Sequence, residues 1–154
     1  TYLTVAKLVE RGADVVAINR QIFDNLTENR LNFLGFFLSK RVTYLPQCNA
    51  AIMYISHKDV NHFQLKRGDT EGLVNYPLSV RSIQVAVLVK EYENEVKLSF
   101  RSKGTYEVNE FASQYFNGGG HKNAAGGLSN LSLSDTVKQL EQVLPDYYKD
   151  LCLK

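Results

Sequence analysis

Five of the chain's ten glycines fall between Gly118 and Gly127. Gly118, Gly119 and Gly120 are consecutive, and His121 and Lys122 follow directly. Glycine has no side chain to keep a ligand away from the backbone. Successive N–H groups in such a loop can converge on an anion. His121 adds a donor whose charge can switch near neutral pH, and Lys122 adds a fixed positive charge. A helical turn beginning near His121 would aim further N–H groups at the same point. Ala124 and Ala125 are small enough for that turn to pack closely on a sheet. The segment is therefore read as a phosphate site rather than as a plain glycine loop joining a helix to a strand.

A second group precedes it. In Ser99-Phe100-Arg101-Ser102-Lys103-Gly104, Arg101 offers a planar fork of donors suited to phosphate or carboxylate. Ser102 offers a hydroxyl, while Lys103 reads as a solvated charge. One helix, about 108–116, separates this group from the glycines, and a strand end, a helix and a return loop can meet at one sheet edge. Other candidates are weaker. His57 and His62 flank Asp59, but the stretch offers too few ligands for a metal. Glu91, Glu93 and Glu95 read as a solvated hairpin tip rather than as paired catalytic carboxylates. The tyrosines from Tyr44 to Tyr148, Tyr92 among them, could include a base-stacking residue, yet most read as half-buried packing.

The bulk numbers frame these sites. At 154 residues the chain is near the size of one domain, and its hydrophobic fraction of 44% is ordinary for a globular protein. A net charge of +2 is too small a bias for non-specific binding of long nucleic acid. No apolar run reaches the roughly 20 residues of a membrane helix, so no membrane partner is expected. No secretory pattern opens the chain, and Cys48 and Cys152 form neither a disulfide framework nor a zinc spacing. Both read as reduced thiols of a cytoplasmic protein. The first residue is Thr1 rather than Met, which reads as a fragment or a trimmed chain.

The elements that must hold these residues come in two parts. Residues 1–41 read as helical. Gly12 ends a first helix and Asp14 caps a second that carries Val15, Ile18 and Ile22 on one side. Thr27 caps a third with Leu31, Leu34, Phe37 and Leu38 along a buried stripe. From residue 42 the period changes. Val42 to Leu45 and Ala50 to Ser56 read as strands, Asp59 as the cap of a short helix, and Gly68 to Pro77 as an irregular loop. Ile83 to Val89 is a central strand. It turns through 91–95 into Val96 to Phe100, where Lys97, Ser99 and Arg101 form a wet face. Val108, Phe111, Ala112, Tyr115 and Phe116 define an amphipathic helix. A last helix starts near Ser134, buries Val137, Leu140, Val143 and Leu144, and should kink or restart at Pro145. The expected fold class is α/β, a mixed sheet with flanking helices preceded by a short helical segment.

The motifs FRSKG at 100–104, VNEFA at 108–112 and FNGGGHKNAAGG at 116–127, with TEGLVN at 70–75, resemble the C-terminal DHH-associated domain of the DHH phosphoesterase family. The likeness is to the oligoribonuclease and adenosine bisphosphate phosphatase branch, also labelled exopolyphosphatase-related. It implies that residues 1–41 are the last helices of an upstream catalytic domain and its connector. Residues 42–154 are then the substrate-binding domain. It implies contacts to phosphate or nucleotide from Arg101, Ser102, Gly118, Gly119, Gly120, His121 and Lys122. It also implies manganese, or another divalent metal, bound by the upstream domain and not by this segment, which alone would be inactive. The implied substrates are short single-stranded RNA, adenosine 3',5'-bisphosphate or a cyclic dinucleotide. A non-catalytic nucleic-acid-binding module, like the associated domain of alanyl-tRNA synthetases, is the alternative. Monomer and homodimer both stay open.

Overall fold

A computed structural model describes residues 2–24 and 26–152. The side chains of Leu151 and Cys152, read above as apolar packing and a reduced thiol, lie outside what it describes. Three helices come first, α1 Tyr2–Glu10, α2 Val15–Phe23 and α3 Glu28–Lys40. Their expected punctuation forms. Gly12 follows α1 at φ 87°, the Asp14 carboxylate accepts from the Ala17 N–H at 3.0 Å, and the Thr27 hydroxyl accepts from the Arg30 N–H at 3.2 Å. Helices α1 and α2 contribute no buried side chain.

The stripe of α3 differs from expectation. Phe33 and Phe37 are buried, Leu34 and Phe36 are partly covered, and Leu31 and Leu38 are exposed. At about 100° per residue, Leu31 and Leu38 fall on the side of the helix away from Phe33 and Phe37. The large aromatic pair wins the sheet-facing side because it buries the most apolar surface.

Six strands follow, β1 Val42–Leu45, β2 Ala50–Ile55, β3 Val85–Glu91, β4 Val96–Ser102, β5 Gly119–His121 and β6 Ala124–Ser129. They form one mixed sheet in the order β1-β2-β3-β4-β6-β5, with only β2 and β3 parallel. Helices α4 His57–His62, α5 Asn109–Tyr115 and α6 Leu133–Cys152 complete the chain. Strand alternation sorts the side chains into two layers. On one face Ile52, Val87, Leu98 and Phe100 pack with Phe111 and Phe116 of the α5 segment and with Leu140, Leu144 and Tyr148 of α6. On the other, Met53, Ile55, Ala86 and Leu88 pack under Phe33 and Phe37 of α3 and under Leu73 and Val74. The second layer stops at β3. On β4 the residues of this face are Lys97, Ser99 and Arg101, none of them buried. Among the described residues no α-helix covers them, and the single turn Leu73–Asn75 reaches the strand. The sheet is thus closed on one side and half open on the other.

Two local expectations are corrected. Asp59 does not cap α4. The Ser56 hydroxyl does, and Asp59 returns the bond to the Ser56 N–H in a capping box. This leaves the buried Asp59 carboxylate to meet Arg41 just beyond α3, with Nε to Oδ2 at 3.0 Å and Nη2 to Oδ1 at 2.8 Å. The guanidinium lies 4.6 Å from the ring centre of Phe36 and 5.0 Å from that of Tyr54. Burial alone would raise the Asp59 carboxyl, but hydrogen bonds from Arg41 and Ser56 outweigh it and hold it below the ordinary carboxylate value. The second correction is α6, which does not restart at Pro145 but runs through it as one helix. Proline removes one backbone donor. Leu144 on one side of it and Tyr148 on the other are both buried against the same sheet face, which keeps the helix on the sheet through the proline. No described helix is long and apolar enough to cross a membrane.

Candidate functional site

The uncovered part of the sheet is where the chemistry-bearing side chains collect. Register places them in rows across the strands. Arg101 pairs with Ala86 of β3 and Ala124 of β6, and Ala124 pairs with His121 of β5. Ser99 pairs with Leu88 and Gly126, and Gly126 with Gly119. Lys97 pairs with Lys90 and Leu128. Side chains of directly paired residues project to the same face. Three cations, a hydroxyl and His121 therefore share the open face of β3, β4, β6 and β5.

Over this face lies a cleft of about 610 Å³. Its floor includes Ser99, Arg101, Gly119 and Gly126, and Lys90, Tyr92 and Lys97 line its far end. The wall opposite β5 is the segment Thr70-Glu71-Gly72. Lys90 holds that wall to the sheet through its ammonium, which donates to the Thr70 hydroxyl at 3.0 Å. Arg101 donates from Nη1 to the carbonyl of Phe100 at 2.8 Å, which orients the guanidinium and leaves further N–H donors for a ligand.

The glycine segment is built differently from the expected loop. No helical turn begins near His121. Residues 119–121 are an edge strand, and Ala124 and Ala125 belong to the strand that pairs with it. Its N–H groups are strung along a strand and do not converge into a nest. Three of the five glycines answer to packing. A β-carbon on Gly118 would overlap the Gly126 carbonyl, one on Gly120 would come within 2.6 Å of the Ala124 carbonyl, and one on Gly127 within 2.9 Å of Phe116. Gly119 is different, since nothing lies within 4 Å of the position its β-carbon would take. Its missing side chain leaves the floor of the cleft bare.

The structure brings together part of the set named from sequence. Arg101, Gly118 and Gly119 line the cleft. His121 ends the Arg101 row on the same face, exposed at the sheet edge, and Gly120 is its strand neighbour. Ser102 and Lys122 turn elsewhere. Ser102 is one residue past Arg101 and so points to the opposite face, where its hydroxyl accepts from Asn123 Nδ2 at 2.8 Å. The Lys122 ammonium is 2.8 Å from Glu107. The cleft also takes in Lys90, Lys97 and Ser99, not named as site residues from the sequence, and Tyr92, named there only among the tyrosines that could stack on a base. The alternation of Lys97, Ser99 and Arg101 was the available signal, because it places all three on one face and only a cover or its absence decides what that face does.

The two kinds of glycine give a paired expectation. Gly119→Ala leaves the melting transition unchanged to within about 0.5 kcal/mol and weakens phosphate-ligand binding, because its methyl stands on the cleft floor. Gly118→Ala lowers stability by about 1–3 kcal/mol through backbone collision. Thermal unfolding together with ligand titration of both variants checks this, and equal stability loss in the two would refute the division.

Residues 48–149 match the DHHA1 domain. The chain belongs to this family. DHHA1 relatives and structures extend the match in both directions. The bifunctional oligoribonuclease and PAP phosphatase NrnA of Bacillus subtilis is 31% identical over 108 residues, which is 69% of this chain and 34% of that protein. A probable protein of the same name from Streptococcus mutans is 26% identical over 154 residues, 94% of this chain and 46% of that protein. The chain thus spans about a third to a half of the length of these relatives. An exopolyphosphatase-related protein from Bacteroides fragilis superposes with a TM-score of 0.90 at 32% identity, over 99% of this chain and 44% of that one. A pGpG-specific phosphodiesterase from Vibrio cholerae shares the fold with a TM-score of 0.63 at 11% identity, over 96% of this chain and 51% of that one.

Proposed function

We propose that the cleft is the substrate-holding half of a phosphoesterase acting on short oligoribonucleotides, adenosine 3',5'-bisphosphate or cyclic dinucleotides. The observation that carries this reading is the bare, basic strip of a DHHA1 sheet, with Lys90, Lys97, Ser99, Arg101 and His121 on one face over a glycine floor. The NrnA relatives, named as oligoribonucleases and PAP phosphatases, supply the substrate class.

The chain's own residues bind and orient. The Arg101 fork takes two oxygens of one phosphate, Ser99 donates its hydroxyl beside it, and His121 closes the row at the sheet edge. Gly119 and Gly126 let the ligand lie against the backbone. Donors fixed on strands before the reaction stabilise charge as it develops on the phosphoryl oxygens. Among the described residues no group of three His, Cys, Asp or Glu could hold a metal. The residues present do not fit the divalent ion of the family resemblance, manganese by expectation. In this reading the remainder of the full-length protein holds it, and no step here is built on it. The same reading docks α1 and α2, whose Leu8, Val9, Ile18 and Ile22 are exposed, against that remainder as the end of the catalytic domain, in a cytoplasmic enzyme.

The test is hydrolysis of a short RNA and of adenosine 3',5'-bisphosphate by the full-length protein with manganese, beside residues 1–154 alone. Turnover by the former and binding without turnover by the latter are expected. Absence of hydrolysis by the full-length protein, with tight binding of structured RNA instead, would replace the enzyme by a nucleic-acid-binding module.

A further inference from the structure

Tyr92 stands where the phosphate reading leaves a residue without a task. It follows β3 directly, and its N–H donates to the Glu95 carbonyl at 2.9 Å, which closes the tight turn into β4 and fixes the position of the residue. The residue is 41% exposed at the mouth of a cleft. Two ammonium groups lie over the ring, Lys90 Nζ at 5.1 Å and Lys97 Nζ at 5.0 Å from its centre, so a base stacks on the ring surface that they leave open. Each is also held by an oxygen, Lys90 by Thr70 and Lys97 by Glu95 at 2.8 Å. The aromatic face and the two charges are therefore set in place before any ligand arrives.

Spacing ties this group to Arg101. Lys97 and Arg101 are four residues apart on β4, about 13 Å along the strand. Between them on this face the Ser99 row carries Gly126 and Gly119 on one side and the buried Leu88 on the other. A single phosphate on Arg101 cannot reach Tyr92, whereas a chain one nucleotide longer can. Beyond Tyr92 the surface changes sign. A neighbouring hollow of about 410 Å³ is lined by His57, Tyr92, Glu93, Asn94 and Glu95. Glu95 is paired with Lys97, so Glu93 is the carboxylate there that repels a further phosphate. The run of positive charge begins at Arg101 and ends at Tyr92.

Resting on the phosphate reading of the cleft, we infer that Tyr92, flanked by Lys90 and Lys97, is the stacking platform for the nucleobase of a second nucleotide, and so sets the preference for dinucleotides over mononucleotides. Stacking on an aromatic side chain tolerates any base, because every base has a π-face. The lysines draw the phosphate next to that base, and the acidic hollow limits how far the ligand extends.

The test uses the full-length protein without divalent metal, so that ligands bind and are not consumed. The probes are two dinucleotides with 2-aminopurine at one or the other position, and adenosine 3',5'-bisphosphate. In wild type and in Tyr92→Phe, one of the two dinucleotides loses fluorescence on binding as its base stacks. In Tyr92→Ala that quenching is lost and dinucleotide affinity falls about tenfold, while bisphosphate affinity stays within about twofold. Equal losses for both ligands, or quenching that survives in Tyr92→Ala, overturn the inference and leave the phosphate site standing. Failure of the wild-type protein to bind any of the three ligands overturns the phosphate reading and the inference with it.

Discussion

Arg101→Ala lowers kcat/KM of the full-length protein by about 10²–10³-fold, the usual loss when one preorganised donor to developing oxyanion charge is removed. The fold does not suffer with it. Arg101 is flanked on β4's neighbours by Ala86 and Ala124, so truncation opens no cavity between large side chains, and the change in stability stays within about 0.5 kcal/mol. Arg101→Lys restores only part of the rate, since an ammonium is a point charge and cannot present a fork. Steady-state kinetics of the three proteins, with melting curves alongside, are the measurement. A kcat/KM near wild type in Arg101→Ala would mean that the cleft does not hold the reacting phosphate.

The largest effect on stability belongs to another arginine. Arg41→Ala destabilises the protein by about 3–5 kcal/mol, because it strands the Asp59 carboxylate without its bidentate partner in a buried position. Cover over the Phe36 and Tyr54 rings goes at the same time. The pH dependence has a definite sign. In wild type the folded Asp59 carboxyl titrates below its ordinary value near 3.8, so its contribution is complete above that value and is lost as pH falls through the lower, folded one. In Arg41→Ala burial is left without its largest counterweight, and protonation relieves the buried charge. The stability gap between the two proteins therefore narrows on acidification. Urea unfolding at about pH 7 and about pH 3 measures it, and a gap that is constant between the two would show that Asp59 is not the group left uncompensated.

Much of this arrangement is legible in the residues, and the failures have physical causes. The turn at 91–95 sets the register of β3 against β4, and alternation then puts Lys97, Ser99 and Arg101 on one face. Ser102 was read with Arg101 because the two are adjacent, yet a shift of one residue along a strand reverses the face. The β5–β6 hairpin was hidden by its composition. Glycine and alanine have low strand preference, and these residues are strands because Gly118, Gly120 and Gly127 admit backbone contacts that a β-carbon would forbid. The stripe of α3 was read with Leu31 and Leu38 in it and Phe33 left out, because leucine and phenylalanine carry the same weight in a pattern, whereas the buried pair is Phe33 and Phe37. Nothing local tells that the cover over the second face stops at β3, since that depends on where α3 and the segment 70–76 come to rest.

The half-covered sheet also divides the labour of β4 between neighbours in the chain. Val96, Leu98 and Phe100 are committed to the interior, and Lys97, Ser99 and Arg101 face the cleft. A new side chain at one of the latter three meets solvent rather than a packed partner, so ligand preference can drift by single substitutions at little cost to folding. In the glycine hairpin across from it, Gly118, Gly120 and Gly127 have no such latitude, and only Gly119 and Gly126 have room for a β-carbon. In this domain evolvability is concentrated on alternate residues of one strand, and the hairpin beside it is frozen at three of its five glycines.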